Sequence, residues 1–135
     1  MITLIMAVEA AHAGQWLLEL LSTLGTPNVS RNGGKWQIEN DEGWLSVRSA
    51  EDVRREYELE EYLDVTAILG EPALYAIEGR PERLVASYIR LLPDNLNILI
   101  DNQYGWTAPA KAYKDAIARR SEWLYTPDGI IRRTE

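Results

Sequence analysis

The sequence predicts a single α+β domain, a mixed and largely antiparallel β-sheet packed by about four helices. Three observations predict it. Stretches whose apolar residues recur with helical period interleave with stretches that alternate or run apolar throughout. Two of the strand-like stretches face each other across turn residues, so at least part of the sheet is an antiparallel hairpin. The length of 135 residues is that of one domain, and no repeat or Pro/Gly/Ser-rich linker divides it.

Residues 2–8 are a continuous apolar run, the pattern of a strand buried on both faces. From Ala10 to Leu24 the period changes. Ala13, Trp16, Leu17, Leu20, Leu21 and Leu24 share a helical stripe, closed by Gly25 and Pro27. Asn32-Gly33-Gly34 is a turn, and Lys35 to Glu39 then alternates polar and apolar. Gly43 to Arg48 forms the partner strand, with Asn40-Asp41-Glu42-Gly43 as the turn. Ser49-Ala50-Glu51-Asp52 has the form of a capping box, and Leu59, Tyr62, Leu63, Thr66 and Leu69 predict a helix over about 58–69. Ala73 to Glu78 reads as a strand. Pro81 opens a helix with the stripe Leu84, Val85, Tyr88, Ile89 and Leu92, stopped by Pro93 and Asp94. Leu96 to Ile100 is a strand, Asp101 to Gly105 a turn, and Trp106-Thr107 the start of a return strand. Pro109 starts a last helix carrying Ala112, Tyr113, Ala116, Ile117 and Trp123, and the polar residues 126–135 read as a loose tail.

Charge is the most informative property. The net charge is −7, and the pI is about 4.8. Residues 39–64 hold ten acids against three bases, while the other eleven acids and eleven bases cancel. The whole excess therefore comes from one contiguous segment. Nucleic acid and anionic membranes are held mainly by Lys and Arg, so neither is the expected partner. Gathered negative charge repels itself in the folded state, but facing a basic protein it speeds encounter and selects the partner. The same segment carries Trp44, Tyr57 and Tyr62, the residue types that anchor interfaces. The expected partner-binding residues are Asp41, Glu42, Trp44, Glu51, Asp52, Glu56, Tyr57, Glu58, Glu60, Glu61, Tyr62 and Asp64.

No catalytic pattern emerges. With no cysteine there is no thiolate nucleophile, disulfide or cysteine-ligated metal. The one histidine, His12, lies between Ala11 and Ala13 near the start of the predicted helix and reads as a surface or boundary side chain rather than a general base. Asn32-Gly33-Gly34-Lys35 lacks the spacing of a phosphate-binding loop, and the stretch Asp101 to Gly105 lacks the alternating acids of a calcium loop. The five tryptophans read as core packing in the absence of a basic groove beside them. Catalytic, cofactor-binding and metal-ligating residues are therefore expected to be none. The apolar N-terminus meets Glu9 too early for a signal peptide, and no run approaches the ~20 apolar residues of a membrane span. The expected location is the cytoplasm.

Size, acidity, lack of cysteine and the order of elements from Ala73 onward also carry a likeness. Strand Ala73–Glu78, helix Pro81–Leu92, strand Leu96–Ile100 and then Asp101-Asn102-Gln103-Tyr104-Gly105-Trp106 resemble the immunity proteins of bacterial contact-dependent growth inhibition and related polymorphic toxin systems. The resemblance covers mainly residues 73–125 and transfers no family site residue. It implies a cytoplasmic antidote that binds, in a 1:1 complex, the C-terminal toxin domain of a secreted effector. Such a toxin is often a nuclease, and a nuclease must be basic to hold its substrate. Carboxylates from residues 39–64 would then stand where phosphates go. Two other readings remain: a carboxylate-dependent hydrolase, which needs two converging acids in a pocket, and a subunit that self-associates through exposed tryptophans.

Overall fold

The structure is a computed structural model that describes residues 1–9, 15–29, 35–49 and 72–127. In chain order its elements are β1 (Ile2–Glu9), α1 (Gln15–Ser22), β2 (Asn28–Val29), β3 (Lys35–Glu39), β4 (Trp44–Ser49), β5 (Pro72–Arg80), α2 (Glu82–Leu91), β6 (Ile98–Asp101), β7 (Thr107–Pro109) and α3 (Ala110–Ala118). The class is α+β, as expected. The expected helix over 58–69, the Asn32-Gly33-Gly34 turn and His12 lie outside the described residues, which hold three helices.

One sheet runs β2-β3-β4-β5-β1-β6-β7. Every pairing is antiparallel, which corrects the expectation of a mixed sheet. The reason lies in β1. A strand apolar on both sides belongs at the centre of a sheet, and β1 inserts between β5 and β6. Those two strands are joined through α2 and run parallel to each other, yet β1 lies between them and every neighbour each one has is antiparallel. Leu4 to Val8 are all buried.

Register sorts the side chains into two faces. Leu4 sits opposite Ile77, Ile77 opposite Val47, and Val47 opposite Trp36. With Met6, Val8, Ile38, Leu45, Ile98 and Ile100 they form the main core. All three described helices pack there, α1 through Leu17 and Leu21, α2 through Leu84, Val85, Tyr88 and Ile89, α3 through Tyr113, Ala116 and Ile117. The buried Tyr88 hydroxyl donates to Leu17 O (3.3 Å) and ties α2 to α1. Lys114 donates to Asp94 Oδ1 (2.7 Å) and to the carbonyl of Leu92, fixing α3 against the end of α2. The opposite face is apolar only at its centre, where Ile5, Ala7, Leu74, Ala76 and Leu99 form a second buried cluster. Toward β3 it turns polar with Gln37, Ser46, Arg48 and Glu78.

Two ends differ from expectation. The last helix stops at Ala118 and does not carry Trp123. Arg120 N–H bonds Ile117 O (3.1 Å) and Ser121 N–H bonds Ala116 O (2.9 Å), the double closure of a Schellman motif, with Arg120 at φ 56°. The chain then folds back and buries Trp123, Leu124 and Thr126. Thr126, the first residue of the expected loose tail, is thus held in place, and residues 128–135 of that tail lie outside the described residues.

Candidate interaction surface

The β3–β4 hairpin presents the described end of the acidic segment. Asn40 builds its tip. Asn40 N–H donates to Gly43 O (2.9 Å), and Gly43 N–H returns to Asn40 O (3.2 Å). Asn40 Oδ1 also accepts from Glu42 N–H (2.8 Å) and Gly43 N–H (3.2 Å), an Asx turn laid inside the hairpin. Its Nδ2 donates to Leu24 O (3.1 Å) and moors the tip to the end of α1. Gly43 is required by proximity, because a Cβ there would lie 2.0 Å from Arg80 O. The tip is therefore tight, and the side chains of Glu39, Asp41 and Glu42 are exposed on it.

Of the expected partner-binding residues, the structure describes Asp41, Glu42 and Trp44, and it places Trp44 on the opposite sheet face from the helix α2 that Glu42 meets. Asp41 makes no ion pair among the described residues. Glu42 Oε2 meets Arg83 Nε at 3.1 Å, but both side chains are well exposed and such a pair adds little to stability. Trp44 is half-buried and lies on the sheet face away from the described helices. Arg48, one of the three bases of the segment, is bound to Glu78 Oε1 at 2.8 Å. Glu51, Asp52, Glu56, Tyr57, Glu58, Glu60, Glu61, Tyr62 and Asp64 lie outside the described residues.

A second locality, at the β6–β7 loop, was read from sequence only as a turn. Its centre is Asn102, which is buried and uses both ends of its amide. Nδ2 donates to Trp123 O (3.0 Å) and Thr126 O (2.7 Å), while Oδ1 accepts from Tyr104 N–H (2.8 Å) and Trp106 N–H (3.2 Å). Gln103 and Gly105 take positive φ to close this loop. Trp106 stacks on Tyr113 (ring centroids 4.1 Å apart), and Tyr113 O–H donates to Trp106 O at 2.7 Å. Burial, and secondarily the Asp101 carboxylate, pushes the Tyr113 phenol well above its ordinary pKa. Burial also raises Asp101, partly opposed by the Gln103 N–H it accepts. Outside this buried stack, Tyr104 and Tyr125 meet edge to face at 4.9 Å, both more than half exposed. With Met1 they border a hollow of about 220 Å³. None of the five tryptophans is among the exposed large side chains, so the exposed aromatic groups are tyrosines. The sequence signal for this locality was the spacing Asp-Asn-x-x-Gly at a strand end, an Asx-turn pattern that predicts a tight loop but not what it is tied to.

No group of three or more His, Asp or Glu capable of holding a metal ion occurs among the described residues, and no described helix is long and apolar enough to cross a membrane. Three hollows on the described surface are lined by at most one carboxylate each. No protein-family model, curated protein or solved structure matches this chain.

Proposed function

We propose that this chain is an immunity-type binding protein that neutralises a basic toxin domain, a nuclease, in the cytoplasm of the cell that makes both. One observation carries the reading. The entire net charge of −7 arises between residues 39 and 64, and the described end of that segment is a rigid, exposed hairpin tip. Carboxylates on a tip already fixed by Asn40 lose little freedom when a partner binds. Opposite a nuclease they occupy the positions of substrate phosphates, and the positive field that draws nucleic acid draws the inhibitor instead. Trp44 at the base of the hairpin, together with Tyr57 and Tyr62, supplies apolar area that rim charges do not.

The test is direct. Where the gene immediately upstream encodes a secreted effector, its C-terminal domain is purified and assayed on plasmid DNA and on RNA, with and without this protein; an upstream gene of any other kind counts against the reading. One equivalent should abolish cleavage, and the two chains should co-elute as a 1:1 complex. Cleavage at full rate beside an equimolar amount of the folded protein would overturn the reading.

A further inference from the structure

An acidic protein with a basic groove calls for a second ligand. Along one side of α2, from Pro81 before its first turn to Arg90 in its last, and facing the turn after α3, lies an open groove of about 490 Å³, within the usual size of small-molecule sites. Three arginines border it: Arg83, Arg90 and Arg120. Arg83 shares its charge with Glu42, and Glu82 lies on the same rim. Arg90 and Arg120 form no ion pair among the described residues. The apolar part of the lining is Ala86, Ile117 and Trp123.

The independent observation is Ser121, which also lines the groove. It is only 7% exposed, and its Oγ has no hydrogen-bond partner. A hydroxyl removed from water and left unpaired is a standing cost that a bound acceptor relieves. The residue before it points the same way. Arg120 holds the left-handed position that glycine normally fills at a Schellman closure. A long cationic side chain is kept there against the backbone's preference, beside the unpaired hydroxyl.

We propose that this groove binds an organic phosphate: a phosphate monoester on a compact planar or apolar body. Arg90 and Arg120 supply two guanidinium forks, which suit the geometry and double charge of a phosphate. The Ser121 hydroxyl donates a further hydrogen bond to it. Ala86, Ile117 and Trp123 receive the body. The site goes beyond toxin binding, and it is tested on the purified chain with no toxin present.

Phenyl phosphate is the probe, titrated calorimetrically beside inorganic phosphate and phenol. Phenyl phosphate should saturate one site per chain, inorganic phosphate should bind at least about tenfold more weakly, and phenol should not bind. Arg120→Gly removes the guanidinium while giving the backbone the residue it prefers. It should raise the melting temperature and lower phenyl phosphate affinity about tenfold or more. Ser121→Ala should weaken binding severalfold without lowering thermal stability, since it deletes an unpaired group. Unsaturable phenyl phosphate binding would overturn the proposal. So would unchanged affinity in a folded Arg120→Gly variant, which would place any binding elsewhere. Equal affinity for phenyl and inorganic phosphate would overturn the role of the apolar lining.

Discussion

Asn102 shows how much one side chain can organise. It makes four hydrogen bonds from a buried position, two to the carbonyls of Trp123 and Thr126 and two from the amides of Tyr104 and Trp106. An alanine there strands those partners inside the protein, where each unpaired group is costly. Asn102→Ala should lose about 2–4 kcal/mol in urea unfolding, and fluorescence should report a loosened Trp106–Tyr113 stack. Its neighbour Asp101 governs a pH effect. Burial raises its pKa in the folded state above the ordinary 3.8. The folded chain therefore keeps that proton longer than the unfolded chain. Asp101 favours folding at low pH, and that contribution is lost as pH climbs through the window from the unfolded to the folded pKa. Asp101→Asn keeps the acceptor for Gln103 N–H but cannot ionise. Relative to the wild type, its stability should improve as pH rises from the ordinary carboxylate range through the raised pKa of the folded state. A pH-independent difference in chemical unfolding would show that the carboxylate is not destabilised by its surroundings.

At the scale of elements, hairpin and helices illustrate two grades of legibility. The β3–β4 hairpin was readable because its turn chemistry is local: Asn40 bonds residues two and three positions on. The position of that hairpin was not readable, because it rests on the approach of Gly43 to Arg80, residues far apart in the chain. Gly43→Ala would force a Cβ to within 2.0 Å of a carbonyl oxygen unless the backbone moves. The hairpin should separate from β5, with a loss of about 2 kcal/mol or more in thermal unfolding. The stripe of α2 was legible residue by residue, since Leu84, Val85, Tyr88, Ile89 and Leu92 are all buried. In α3 the stripe was right through Ile117 and wrong at Trp123. Helical periodicity continues to match on paper, but the chain turns at Arg120, where an arginine occupies a glycine's conformation. No local rule places a helix stop at an arginine.

At the scale of the whole molecule, charge and topology part company. If the contiguous acid excess is the recognition surface, association with the toxin domain should slow as salt rises. Reversing Asp41, Glu56, Glu58, Glu60 and Glu61 to Lys should slow it by about tenfold or more at low salt while the circular dichroism spectrum stays native. Stopped-flow rates that ignore both changes would remove the electrostatic mechanism. The exposed Tyr104–Tyr125 pair, in contrast, belongs to no sequence feature. Its residues come from a loop and from the chain after α3, brought together where Asn102 bonds across to Trp123 and Thr126 and where Trp123 and Leu124 enter the core. The same division runs through the protein. Periodicity, turn chemistry and the tally of charges are local quantities, so the amino-acid order alone determined the class, most of the strands and helices, and the single acidic segment. Strand order, the central place of β1, the arginine groove and the unpaired Ser121 depend on contacts between residues distant in sequence. Only the folded chain decided them, because burial and hydrogen bonding are settled by which surfaces meet.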